Sequence, residues 1–277
     1  MIRIVTDSSV LYTVEQAEKA GFDAVPLCVS IGEYNGRDLQ VDMKDFYARI
    51  ASGQNPTSSQ PPIGDVVDVY EKYPGDEIIN ISMADGLSGT YASACMAKSM
   101  IDDNENITVI NTKTLCGPHR YMVEKAQEMK EAGCTAAEII DWVNAATEKH
   151  ESFLIPQDFD FLRRGGRLTP MAATIGSVLK LKPIMTQTPD GKRLDKFGVK
   201  RTMGAALKVV VERMLEKQVG TNHKIYISHA DALKDALIAK KLIEEAIPGA
   251  DIEMYELSPV FVTQGGPQCV AVQYIEK

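Results

Sequence analysis

The sequence predicts an α/β protein of two domains: an N-terminal three-layer α/β domain around a parallel sheet, then a smaller C-terminal α/β domain with a mixed sheet. Three observations predict it. Short β-branched runs alternate with amphipathic stretches through the first half, at a spacing that suits strand–helix–strand units. The alternation becomes less regular after Gly165-Gly166. At 277 residues and 44% hydrophobic content, the chain is long enough for two ordinary domains with real cores. The expected domains are residues 1–160 and 161–277.

Taken in order, Ile2–Val5 is a short strand, and Thr13 with Gln16 three positions on forms a capping box that opens a helix. Ala24–Ile31 reads as one strand with a turn over Glu33–Gly36. Asp42 and Asp45 start a helix whose Met43, Phe46, Tyr47 and Ile50 share a face. Thr57 to Pro62 reads as a polar loop, and Pro62 suits the first turn of the helix that follows. Glu77–Ser82 is a strand, Ser88–Ile101 a helix and Ile107–Asn111 a strand. Two helices follow, Tyr121–Glu131 and Ala136–Lys149, the second capped by Thr135 with Glu138. After the strand Phe153–Ile155, Gly165-Gly166 forces a turn in FDFLRRGGRL. The second half offers a helix over Met171–Leu179, extended chain over Lys182–Gln187, and a turn at Pro189-Asp190-Gly191. Then come a strand near Leu194–Val199, a helix over Met203–Glu216, a strand over Lys224–His229, a helix over Ala232–Ala246 and a strand over Ile252–Leu257. A turn at Gly265-Gly266-Pro267 leads to a last strand.

Bulk properties exclude several functions. A net charge of −8 with mixed signs argues against nonspecific binding to nucleic acid or an anionic membrane. Five scattered cysteines without a C-x-x-C pair fit reduced thiols and a cytoplasmic protein. Cys116 and His119 have a ligand-like spacing but no second pair of ligands, so no metal site is expected. Arg3 and Asp7 interrupt the N-terminal apolar run, which is not expected to be a signal peptide. No 18-residue apolar window predicts a membrane span.

In open α/β sheets, ligands sit beyond the carboxyl ends of strands. The loops after Val5, Ser82 and Asn111 are therefore candidates. GLSGT, Gly86 to Thr90, follows a strand and opens a helix. Ser88 there admits three readings. As a nucleophile it would need a histidine base and an oxyanion loop, and the G-x-S-x-G pattern is incomplete at Thr90. As a helix cap it satisfies an N–H and does nothing more. As part of an anion site, Ser88 and Thr90 offer hydroxyls at a helix N-terminus, and Gly86 and Gly89 admit a ligand to the backbone. The hydroxyls of Thr57-Ser58-Ser59 can face them. No Walker A pattern is present, which favours a small carboxylate over a nucleotide.

The ordered set T-D-S-S (Thr6 to Ser9), S-S-Q-P (Ser58 to Pro61), L-S-G-T-Y (Leu87 to Tyr91), F-L-R-R-G-G-R (Phe161 to Arg167) and G-P (Gly266-Pro267) resembles the DegV family of bacterial fatty-acid-binding proteins along essentially the whole chain. The resemblance implies a long-chain fatty acid as ligand and no other cofactor. It implies a carboxylate held by hydroxyls at Ser58 and Ser88, and the expected ligand-binding set adds Ser59, Gly86, Gly89, Thr90, Arg167, Gln264 and Gly265. The loops of 1–160 would hold the carboxylate and 161–277 would contribute the acyl-chain pocket. It further implies a non-catalytic carrier that presents the acid to an ATP-using fatty acid kinase, for phospholipid synthesis, with Arg201 facing that partner. Three departures stand out: Ser58 replaces the usual threonine, Ala84 and Asp85 replace serines, and Gln264 stands where the family often has histidine. A serine acyl-hydrolase using Ser88, and a small-anion module without lipid, are the alternatives. A buried chain of about sixteen carbons gains on the order of 10 kcal/mol, much of it offset by association costs of ~4–15 kcal/mol. The tail would supply affinity and the hydroxyls orientation. Arg163, Arg164 and Arg167 read equally as an anion site and as a solvated turn, and His229 as a satisfied strand-end residue.

Overall fold

The β-branched N-terminal run becomes β1 (Ile2–Asp7) in the computed structural model, which describes residues 1–174 and 181–277. A 3-10 turn over Ser8–Val10 follows, then α1 (Val14–Lys19). The Thr13 capping box forms: Thr13 Oγ1 accepts from Gln16 N–H, and Gln16 Oε1 from Thr13 N–H. The single strand expected over Ala24–Ile31 is two, β2 (Asp23–Val25) and β3 (Cys28–Ile31), in different sheets. Pro26 lies between them and brings no N–H to continue a ladder. The turn expected at Glu33–Gly36 is mostly strand, β4 (Tyr34–Arg37), paired antiparallel with β3.

After α2 (Met43–Ala51), capped by Asp42, the first half of the expected polar loop Thr57 to Pro62 belongs to β5 (Pro56–Ser59), on the other side of β3. Then come α3 (Ile63–Glu71), β6 (Glu77–Ser82), α4 (Thr90–Ser99), β7 (Ile107–Asn111), α5 (Gly117–Glu131) and α6 (Ala136–Ala146). The sheet β2-β1-β6-β7 is parallel throughout. Side chains alternate across it. Val5, Ile78 and Ile107 pack with Val66 and Val69 of α3 and Ala94 and Ala97 of α4. Thr6, one residue on from Val5, meets His119 of α5. Helices thus cover both faces.

The chain divides at Glu148/Lys149, earlier than the expected 160/161. The cause is β8 (His150–Ile155), which pairs with the last strand and belongs to the second unit's sheet. The segment FDFLRRG, for which no helix was expected, is helix α7 (Phe159–Gly165), and the turn expected at Gly165-Gly166 is its end, with Gly166 in the left-handed region at φ 72°. α8 (Pro170–Ala173), with Thr174 as its C-cap, falls at the start of the helix expected over Met171–Leu179; residues 175–179 of that stretch lie outside the described residues. β9 (Lys182–Gln187) and β10 (Leu194–Lys200) form a hairpin. α9 (Met203–Glu216), β11 (His223–His229), α10 (Leu233–Ala246) and β12 (Asp251–Glu256) follow. Where a turn alone was expected near Gly265, α11 (Pro259–Gly265) precedes it, and β13 (Val270–Glu276) closes the chain.

The second unit's sheet runs β10-β9-β8-β13-β11-β12 and is mixed: β11 and β12 pair parallel and the other neighbours antiparallel. Phe153 and Ile184 point to a core built with α9 and α10. Their neighbours Leu154 and Met185 point to a smaller one with α7 and α8. No described helix is long and apolar enough to cross a membrane.

Candidate functional site

The carboxyl ends of β1, β6 and β7 meet the segment 83–89, which leads from β6 to α4. α4 begins at Thr90, two residues later than expected, with Gly89 in the capping position and no side-chain cap. Ser88 is therefore not the formal cap. Its Oγ accepts from Thr90 N–H at 3.3 Å and shares a 2.7 Å hydrogen bond with Thr90 Oγ1. The helix start thus carries two adjoining hydroxyls, half-buried at Ser88 and buried at Thr90. Small residues on α4 let it lie close: Ser93, Ala94 and Ala97 are buried. A helix N-terminus with exposed donors and a positive dipole end favours an anion.

Gln60, just past β5, reaches this point. A Cβ on Gly89 would lie 3.0 Å from Gln60 Oε1 and 3.1 Å from Cδ. Gly89 has an ordinary φ of −74°, so the glycine here serves space, not backbone conformation. The S-S-Q-P strand is thereby brought to the start of α4. Ser58 is half-buried and pairs with Val29, while Ser59, opposite Cys28, is exposed and faces the other way by strand alternation. Asp85 lies near Tyr91, whose phenol is pushed up by its bond to Cys95, by burial and by the Asp85 charge. Gly86 is exposed, with φ 90°.

Beneath this segment is a buried polar cluster that sequence reasoning did not assign. His119 is fully buried. Its Nε2 lies 2.9 Å from Ile81 O and 3.1 Å from Thr6 Oγ1, and its Nδ1 lies 2.9 Å from Ser9 Oγ. Thr6 Oγ1 donates to Ile81 O, so Nε2 carries the proton and Nδ1 accepts from Ser9. Burial pushes the His119 imidazole below its ordinary value, against the opposing pull of Asp7. Ser8 Oγ donates to Asp38 and accepts from Leu27 N–H. The T-D-S-S motif thus ties the end of β1 to its surroundings residue by residue. Both nitrogens of His119 are committed, which removes it as a metal ligand with Cys116. Among the described residues no group of three or more His, Cys, Asp or Glu is placed to hold a metal ion.

In the second unit, Gln264 of α11 lays its carboxamide in the space a Cβ on Gly165 would need, and donates through Nε2 to Thr263 Oγ1. Arg167 donates to Gly165 O. Arg167, Gln264 and the buried Gly265 therefore gather around the end of α7, where α7 packs on α11. Arg163 pairs with Asp160, and Arg164 lies over the Phe161 ring. Arg201 is exposed just before α9, away from this group in the chain. His229 Nδ1 accepts from Ala232 N–H, a strand-end role.

A family model described as "Uncharacterised protein, DegV family" matches residues 1–277. The chain belongs to the DegV family. Protein DegV of Bacillus subtilis is 32% identical over 250 residues, spanning 88% of this chain and 87% of that protein. The crystal structure of B. subtilis DegV, described as a fatty acid binding protein, is 30% identical with a TM-score of 0.85, covering 100% of this chain and 99% of that one. A DegV family protein from Thermus thermophilus, whose structure is described by its fatty acid binding, has a TM-score of 0.89 at 23% identity, covering 100% and 99%. That likeness carries the two-domain DegV fold.

Proposed function

We propose that this chain binds a long-chain fatty acid, whose carboxylate is received by the hydroxyls and N–H groups at the start of α4 and whose tail is withdrawn from water. The observation that carries the reading is the Ser88–Thr90 hydroxyl pair at a helix N-terminus, with the Gln60 amide beside it. It gains support from B. subtilis DegV, a fatty acid binding protein similar over the full length. A carboxylate there accepts charge-assisted bonds, about twice as strong as neutral ones. Ser58, on the strand that leads to Gln60, is the next donor. The carrier reading goes further: the bound acid is presented to an ATP-using kinase in the cytoplasm, with exposed Arg201 on the partner side, and the chain itself performs no chemistry. Ser88 bonds Thr90 and no base among the described residues, which favours a binding role over a hydrolase nucleophile.

Native mass spectrometry of protein purified from cells tests the ligand. One long-chain fatty acid mass per chain is expected. Ligand-free protein that takes up no fatty acid on titration, or that cleaves acyl esters, overturns the reading.

A further inference from the structure

Asp7 ends β1 and is 2% exposed. Its two oxygens serve different partners. Oδ1 accepts from Ser9 N–H at 2.9 Å, a local bond that caps the 3-10 turn. Oδ2 accepts from Met83 N–H at 2.9 Å, far away in sequence. Met83 is the first residue of the segment that ends on Ser88, Gly89 and Thr90. The next two N–H groups are also taken, from the side of β7. Ala84 N–H donates to Thr114 O at 2.7 Å, and Asp85 N–H to Asn111 Oδ1 at 3.1 Å. Ser88 N–H then donates back to Ala84 O at 3.3 Å and closes the segment on itself. Three consecutive N–H groups are thus held by the end of β1, by the end of β7 and by Thr114 in the loop that follows β7, two of them through side chains.

We propose that Asp7 and Asn111 are positioning residues of the carboxylate site. Holding the segment from opposite sides, they fix where the Ser88 and Thr90 hydroxyls are offered, without touching the ligand. This rests on the fatty acid reading above. The chemistry explains why an anion stands at position 7. Two donors converge on two oxygens, and only a carboxylate accepts at both; an asparagine would turn an NH₂ toward one of them. A buried carboxylate is costly unless hydrogen-bonded. Moving Met83 away would leave that charge short of a donor, so the segment resists displacement. A site whose donors are already held spends less binding energy on ordering them.

The test compares a long-chain fatty acid with its methyl ester, titrated into the folded full-length protein. The two share a tail and differ in the anionic head that the positioned donors receive. With Asp7→Asn, affinity for the acid is expected to fall about tenfold, the loss of roughly one well-placed charged bond. Affinity for the ester should change less than about twofold. A purely structural Asp7 would weaken both ligands alike, and that result overturns the proposal, as does an unchanged affinity for the acid. If Asp7→Asn does not fold, Asn111→Ala releases Asp85 N–H from the other side, and the same acid-selective loss is expected; equal loss for both ligands, or none, overturns it. Ser88→Ala separates the two levels. If that variant binds acid normally, the carboxylate assignment itself falls and the positioning role with it. If it weakens acid binding while Asp7→Asn and Asn111→Ala do not, only the positioning role falls.

Discussion

The four-stranded sheet of the first unit and the six-stranded sheet of the second bury opposite kinds of side chain at the places that matter to them. In the first unit, the strand ends close over Thr6, Asp7, Ser9, Ser82, Thr112 and His119. In the second, the sheet and its two long helices close over Phe153, Ile184, Leu207, Val210, Ile225 and Val272. Apolar burial tolerates many arrangements of similar volume. Polar burial does not, because each donor or acceptor left unmatched costs about 1–3 kcal/mol. The difference teaches where each unit spends its sequence. The second gains stability from its interior, while the first uses part of its interior to specify the position of one loop.

Phe153→Ala should break this comparison most visibly. Phe153 is 1% exposed and meets Phe197 edge-on, ring centroids 5.1 Å apart. The cavity should cost about 3–5 kcal/mol of stability. The preference for a fatty acid over its methyl ester, measured well below the new unfolding midpoint, should change little, since the first unit's hydroxyls are untouched. A large loss of acid-over-ester preference would show that the two interiors are not separable in this way.

Ser88→Ala sharpens it from the other side. Stability should fall by about 0.5–1.5 kcal/mol, because the half-buried Ser88 gives up a weak bond from Thr90 N–H and its 2.7 Å bond with Thr90 Oγ1. Acid affinity should fall by about 1.5–3 kcal/mol, the range for a bond to a charged group. That corresponds to roughly ten- to a hundredfold in Kd. Calorimetric titration beside thermal unfolding checks both halves.

His119 makes the cost of polar burial depend on pH. Its imidazole is held neutral by burial, below its ordinary value. The unfolded chain takes up a proton near pH 6.5 that the folded site refuses. Stability from this group is therefore present above about pH 6.5 and lost as pH falls below it, by about 1.4 kcal/mol per unit until the folded group also titrates. His119→Gln should flatten that part of the stability–pH curve, whatever it does to stability at neutral pH. Denaturant melts from pH 7.5 to 5.5 check the slope; a curve as steep as the wild type would remove His119 from the acid response. His223 in the second unit is shifted in the same direction by burial and remains as background.

Much of this was legible in the sequence, for identifiable reasons. The span of α9 follows from its strongly apolar run, and the parallel strands from β-branched runs. α7 was not, because Gly165-Gly166 reads as a turn when it is the end of a helix, Gly166 serving as its left-handed cap. β5 was not, because Pro-Thr-Ser-Ser has no apolar alternation and owes its strand to pairing with β3. At the candidate site, Ser88 and Thr90 stand out because strand, glycine and helix start are adjacent in the chain. Gln60, Asp7 and His119 do not. Gln60 reaches Gly89, and His119 reaches Thr6, across distances in sequence that no local pattern spans.

Gly89→Ala probes the finest part of the contrast and should have the smallest effect. The backbone permits alanine, since φ is −74°. Two stability effects oppose each other there. Alanine reduces the freedom of the unfolded chain, worth about 0.4–1 kcal/mol, but is a poorer capping residue than glycine, by a similar amount. The unfolding midpoint should hardly move. The new methyl would lie 3.0 Å from Gln60 Oε1, tighter than an ordinary contact, so the amide must retreat by a few tenths of an ångström. Gln60 is exposed and can do so without strain elsewhere. If its amide helps to receive the carboxylate, acid affinity should fall by about two- to fivefold, a fraction of one hydrogen bond. The double variant Gly89→Ala with Gln60→Ala decides the cause. With no amide to displace, the methyl should then have no effect on acid affinity. An undiminished effect in the Gln60→Ala background would mean that the methyl meets the ligand directly, and that Gly89, rather than Gln60, shapes the floor of the site.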